Sequence, residues 1–159
     1  MTACISFKYR VRSGHQGDAK PVREIFLAAL REHGFADTEA NINSEIATFG
    51  ARTDPLRDDF VVVSASKVCG FLILRPTTQP GCAELMKVFV ARSHRGRGGG
   101  SMLIQRCVET AKARGFRELM LETHTAFRAA RAHYEKHGWT LMPHWSGDES
   151  TTRVYTMRF

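Results

Sequence analysis

Between two apolar segments lies Ser93-His94-Arg95-Gly96-Arg97-Gly98-Gly99-Gly100-Ser101, a run whose residue types suit an anion site. Glycines let a ligand approach the main chain closely. Arg95 and Arg97 supply charge-assisted donors. A helical pattern begins directly after the loop, and the first N–H groups of a helix have no internal partner and lie at its positive end. The combination predicts a phosphate cradle. Two common glycine loops are excluded. No lysine follows Gly100, as a Walker loop requires. Ser101 stands where the dinucleotide fingerprint needs its third glycine. What remains is Arg95-x-x-Gly98-x-Gly100, with Tyr134-Glu135-Lys136-His137-Gly138-Trp139 about forty residues further on.

The elements that must hold this loop follow from periodicity. Glu84 to Val90 reads as a strand leading into it, with Met86, Val88 and Val90 on one face and Leu85, Lys87 and Phe89 on the other. The helix leaving it runs from about Gly98 to Arg114, with Leu103, Ile104, Cys107, Val108 and Ala111 on one stripe and Gly115 as its stop. A short strand, Glu118 to Glu122, precedes a second helix capped by Thr125, running through Phe127, Ala130 and Tyr134 and stopped at Gly138. Upstream, Ile5 to Val11 alternates as a strand, and Val22, Ile25, Phe26, Ala29 and Leu30 form the stripe of a helix that begins near Pro21 and ends near Gly34. A polar helix is expected over Thr38 to Phe49, with Ile42, Ile46 and Phe49 as its large apolar contacts. Phe60 to Ser64 and Val68 to Leu74 form a hairpin about Ala65-Ser66-Lys67. Trp139 to Met142 and Thr152 to Phe159 close the chain as paired strands around a Ser-Gly-Asp turn. Strands and helices in this order predict a mixed sheet with helices on its faces.

Composition agrees with one domain over 1–159. The chain is 43% hydrophobic and 25% charged, and a chain of this length buries enough surface to fold without metal or disulfide staples. Its apolar runs fall well short of the roughly 20 residues of a membrane span. The N-terminal residues lack a secretory pattern, so a cytoplasmic address is expected. Cys4, Cys69, Cys82 and Cys107 show no CxxC spacing and read as reduced thiols. His133 and His137 have metal-compatible spacing but no evident third ligand, so no metal is expected. The net charge of +7 favours anionic ligands of some kind.

The segment from Glu84 to Trp139 resembles the GNAT superfamily of N-acetyltransferases, whose signature is Arg/Gln-x-x-Gly-x-Gly/Ala after a central strand, with a Tyr-Glu-Lys-x-Gly-Phe-like run later. The resemblance implies an α/β (α+β mixed) fold, with a central, mostly antiparallel sheet and helices on both faces. It implies acetyl-coenzyme A as cosubstrate, with pyrophosphate on the main-chain amides of Arg95, Gly96, Arg97, Gly98, Gly99, Gly100 and Ser101. The pantetheine arm would pair with Val88, Phe89 and Val90, one of whose amides would polarise the thioester carbonyl. Phe127 occupies the position where the family often has a cofactor-contacting Asn. By position in the family pattern Glu84 is the base, with desolvation raising its pKa, and Tyr134 stabilises or protonates the leaving thiolate.

The implied reaction is direct attack by a primary amine in a ternary complex. Supplying the free amine from an ammonium of pKa near 10.4 costs about 4 to 5 kcal/mol at neutral pH, which is why a base helps. The acceptor, a small-molecule or peptide amine, is unspecified by the sequence. Trp139 is expected beneath the last helix and Trp145 near the acceptor. Two rival functions are a nucleic-acid module using the Arg-Gly loop and a non-catalytic coenzyme A-binding domain. The first lacks the interleaved aromatics or basic recognition helix of common nucleic-acid readers. No membrane partner is expected, and a C-terminal edge strand would support a homodimer.

Overall fold

In the computed structural model, which describes residues 8–36, 44–143 and 152–159, the sheet is built outward from one tight hairpin. Ala65 and Ser66 both take positive φ, 48° and 64°. That is the two-residue turn whose twist matches paired antiparallel strands. It joins β2 (Asp58–Ser64) to β3 (Lys67–Pro76), so Lys67 is already strand rather than turn. β1 (Arg10–Ser13) pairs antiparallel with β2, and β3 pairs antiparallel with β4 (Cys82–Val90). After α3 (Gly99–Ala113) the chain returns as β5 (Glu118–His124), parallel to β4. β6 (Thr140–Leu141) and β7 (Thr152–Arg158) complete the order β1-β2-β3-β4-β5-β7-β6. The described residues thus form a seven-stranded, mostly antiparallel sheet with helices on both faces, as expected.

Alternation along β2 and β3 feeds two cores. Phe60, Val62, Leu72 and Leu74 meet Leu103, Ile104, Cys107 and Ala111 of α3, together with Tyr134 of α4 (Arg128–Lys136). Val61, Val63, Phe71 and Ile73 meet Val22 and Phe26 of α1 (Ala19–Glu32), and Ile46 of α2 (Ser44–Ala47). Each fully enclosed aliphatic or phenyl side chain contributes about 1.5–3 kcal/mol. Cys69, Cys82 and Cys107 are buried thiols, and burial pushes Cys107 up to about 12, which makes it inert. Cys4 lies outside the described residues.

Strand β4 departs from the alternation expected of it. Ile73 pairs with Lys87 but Leu74 pairs with Leu85, so Met86 is an inserted residue. The bulge inverts parity: Leu85, Val88 and Val90 face the α3 core, while Met86 and Phe89 face the α1 core. Met86 therefore does not share a face with Val88 and Val90.

Other boundaries also differ. The first strand is Arg10–Ser13 rather than Ile5 to Val11, and its expected positions 5–7 lie outside the described residues. Of the helix expected over Thr38 to Phe49, only Ser44–Ala47 is helical among the described residues. Ile46 and Phe49 are buried as anticipated, and Ile42 lies outside. Thr125 does not cap α4. His124 Nδ1 accepts the Ala126 N–H at 3.0 Å, and the helix starts after Phe127, without a side-chain cap. The C-terminal strand is not the outermost one: β7 runs between β5 and β6, and the short Thr140–Leu141 covers its Tyr155 and Thr156. Trp139 packs 5.8 Å from the Tyr134 ring. Trp145 and the Ser-Gly-Asp turn lie outside the described residues.

Candidate active site

Parallel strands β4 and β5 pair over only Cys82–Glu118, Ala83–Leu119 and Glu84–Met120. Beyond Glu84 they are no longer bridged, which leaves the β5-facing backbone of the second half of β4 without a strand partner. A cavity of about 660 Å3 opens at this parting. It is lined by Glu84, Val88, Phe89, Val90, Arg95, Gly96, Gly98, Gly99, Gly100, Ser101, Phe127 and Tyr134, every sequence-predicted site residue except Arg97.

One end of the cavity is the start of α3. The first helical bond runs from Met102 N–H to Gly98 O at 3.0 Å, so the amides of Gly99, Gly100 and Ser101 precede any carbonyl of their own helix. Gly98 is the N-cap residue and offers no capping side chain. Its φ is +89° and that of Gly96 is +72°, a left-handed backbone that favours glycine. A Cβ at either position would meet nothing within 4 Å, whereas one at Gly100 would touch Val90 at 3.5 Å. The loop thus leaves open space beside unpaired amides. Tyr9 and His94 anchor it, with Tyr9 Oη 2.9 Å from His94 Nδ1.

Arg95 serves the loop differently from its expected part as a phosphate donor. Its Nε donates to Val90 O at 2.9 Å, and Nη1 donates to both Glu32 oxygens at 2.7 and 2.8 Å. Arg95 therefore fastens the loop to β4 and to the end of α1. In return its hydrogen bond holds the Glu32 carboxyl below the usual carboxylate range.

At the other end of the cavity are the groups that can move protons. Tyr134 is buried and its hydroxyl is pushed up by that burial, then by Cys107 and Tyr155, so it keeps its proton across the neutral range. Glu84 is engaged by Arg75, whose Nε and Nη2 donate at 3.2 and 3.1 Å, while Arg75 Nη1 donates to Glu45 at 2.8 Å. Arg75 thus holds Glu84 in an ion pair at the cavity wall.

Among the cavity residues that escaped the sequence reading are two charged ones, Glu122 on β5 and Lys87 on β4. Glu122 has no hydrogen-bond partner among the described residues, and burial, then the Glu84 charge, raises its carboxyl. Lys87 is lowered by burial and lies 5.5 Å from the Phe26 ring centre. The local signal for Glu122 was its place opposite Leu121 in the strand alternation. Its approach to Glu84 depends on parallel pairing across a whole helix, which no local pattern records.

Phe127 lies in an aromatic cluster with His33 at 4.5 Å, Phe89 at 5.9 Å and Phe35 at 6.1 Å between ring centres. It bridges α1, β4 and the start of α4. His133 and His137 stack at 4.1 Å, and the described residues contain no cluster of three or more metal-ligating side chains. No helix among the described residues is long and apolar enough to cross a membrane.

Residues 21–139 match the model of the acetyltransferase (GNAT) family. The Xenopus tropicalis protein named "Probable N-acetyltransferase 14" is 29% identical over 85 residues, which are 54% of this chain and 41% of the relative's length. An acetyltransferase of the GNAT family from Staphylococcus aureus Mu50 superposes with a TM-score of 0.80 at 14% identity, covering 95% of this chain and 99% of that one. The yncA protein of Salmonella typhimurium, solved with its cofactor acetyl-CoA, superposes with a TM-score of 0.76 at 17% identity, covering 94% and 93%.

Proposed function

The chain belongs to the acetyltransferase (GNAT) family, and we propose that it acts as one domain over 1–159, transferring acetyl from acetyl-coenzyme A to a primary amine. The observation that carries this reading is the run of unpaired amides at Gly99, Gly100 and Ser101, opening into the same cavity as the unpaired edge of β4. These features fit the coenzyme's two kinds of polar group. The amides and the positive end of α3 suit a diphosphate. The backbone groups that β4 turns away from β3 about Val88–Val90, where Val90 O already accepts from Arg95, suit the amides of a pantetheine arm, as an added strand would. Phe127 presents a ring beside that arm in place of a polar side chain.

Bound there, the coenzyme supplies an activated acyl carbon and a thiol leaving group. The chain must then strip a proton from the acceptor ammonium and return one to sulfur. In our reading the first task falls to the carboxylate pair at the parted strands. Glu84, held in place by Arg75, contributes negative charge that attracts the ammonium. Glu122, with its raised carboxyl and no competing donor, takes the proton directly or through water. Tyr134, whose burial keeps its hydroxyl protonated, donates to the departing sulfur. A β4 amide beside Val88 is oriented to polarise the acyl oxygen.

Calorimetry with acetyl-coenzyme A and with an oligonucleotide, followed by thiol release across an amine panel, tests the reading. Heat with the coenzyme and amine-dependent thiol release support it. Heat without release indicates the non-catalytic coenzyme-binding alternative, and heat with the oligonucleotide alone indicates the nucleic-acid module.

A further inference from the structure

Lys87 is a cation without a hydrogen-bonded anion among the described residues. It lines the cavity and is partly buried, yet it makes no hydrogen bond or ion pair among the described residues, its contact being the face of Phe26 at 5.5 Å. The other cation nearby, Arg75, is committed to Glu45 and Glu84. Glu122 lines the same cavity, also without a hydrogen-bond partner, and no ion pair within 4.0 Å joins it to Lys87. A half-buried ammonium such as that of Lys87 is costly to leave without a paired anion, while Glu122 stands exposed at the cavity mouth. Two opposite charges that face one cavity and do not meet leave a place for a ligand that pairs with both.

We infer that the acceptor is a small zwitterionic amine of the amino-acid class, its ammonium directed to Glu122 and Glu84 and its carboxylate to Lys87. The inference rests on the acetyl-transfer reading and names the acceptor for that same site. Burial lowers Lys87 by more than the Coulomb effects of Glu45, Glu84 and Glu122 restore, and an incoming carboxylate favours its charged form. The transfer itself is balanced within the reading. The ammonium gives one proton to Glu122, the freed amine nitrogen bonds to the acyl carbon as the carbon–sulfur bond breaks, the departing sulfur takes the Tyr134 hydroxyl proton, and the second nitrogen proton returns to the Tyr134 phenolate, leaving amide, thiol and one proton on Glu122 for solvent.

The test compares initial rates of thiol release with amino acids, their primary amides and the matching amines that lack the carboxyl group, at one pH and saturating acetyl-coenzyme A. A charge-assisted contact predicts kcat/KM about tenfold or more higher for the amino acids, mostly through KM. Lys87→Met abolishes that ratio and Lys87→Arg restores part of it. Equal rates for the three series, or preference for the uncharged amides, overturn the inference while leaving acetyl transfer standing. Coenzyme binding without transfer to any amine removes both. The wild-type comparison decides the matter even where a Lys87 variant does not fold.

Discussion

Tyr134 shows how burial sets the role of a single residue. A phenol whose pKa is raised well above its usual value is a poor base at neutral pH and a reliable proton holder, so removing its hydroxyl should harm the step that needs a proton and not the binding of the coenzyme. We expect Tyr134→Phe to lower kcat about 100-fold, within the usual range for a lost general acid, with the calorimetric Kd for coenzyme A unchanged. Glu122 is the converse case. It must be ionised to accept a proton, and its raised carboxyl places the acidic limb of kcat/KM above the ordinary glutamate value, with activity rising as pH rises through it. Glu122→Gln should remove that limb in a pH–rate profile and lower the plateau. Glu84→Gln, which loses the Arg75 pair and its charge, should instead move the Glu122 limb to lower pH, because the repelling neighbour is gone.

At the scale of elements, the site is a strand end and a helix start joined by a loop with special backbone. Gly98→Ala places a methyl group where the protein itself has no atom within 4 Å, so its stability cost is that of the positive φ, about 1–2 kcal/mol. The same methyl lies beside the unpaired amides. We expect coenzyme A affinity to fall far more than the melting temperature does, as read by calorimetry and thermal shift on the same variant. Much of this element was legible in sequence: the glycine pattern, the α3 stripe and the Gly115 stop are local signals, and the family resemblance carried Tyr134 and Val88–Val90 to one cavity. The bulge at Met86 was not legible, because inserting one apolar residue into an apolar strand leaves composition unchanged. Nor was the commitment of Arg95 to Glu32, which joins residues far apart in sequence, nor the start of α4 after Phe127 with no side-chain cap.

Across the whole molecule, α1 and α2 are tied to the sheet partly by ion pairs. Arg12 donates to both oxygens of the buried Asp18 at 2.8 and 2.9 Å, and the His15 N–H adds a third bond at 2.9 Å. Burial by itself would raise Asp18; these partners outweigh it and leave the carboxyl below its ordinary range. Glu45, bonded to Arg75, is likewise lowered against the pull of burial. A carboxyl depressed in the folded state stabilises above its unfolded pKa, about 4, and that contribution disappears as pH falls through the folded value. Denaturant midpoints should therefore be flat from neutral pH to about 5 and drop below about 4. Asp18→Asn should lower the neutral plateau by about 1–2 kcal/mol and flatten the acid decline. The net charge of +7 adds self-repulsion in the same acid range.

The parting of β4 from β5 after three paired residues has a mechanical consequence. The strands β1–β4 and the strands β5–β7 share a short seam, and a guest laid along the open edge would lengthen it, stitching the two halves with its own amides. Occupancy should then slow deuterium uptake in β4 beyond Glu84 and stiffen the molecule as a whole, so that the substrate is a structural member for as long as it stays.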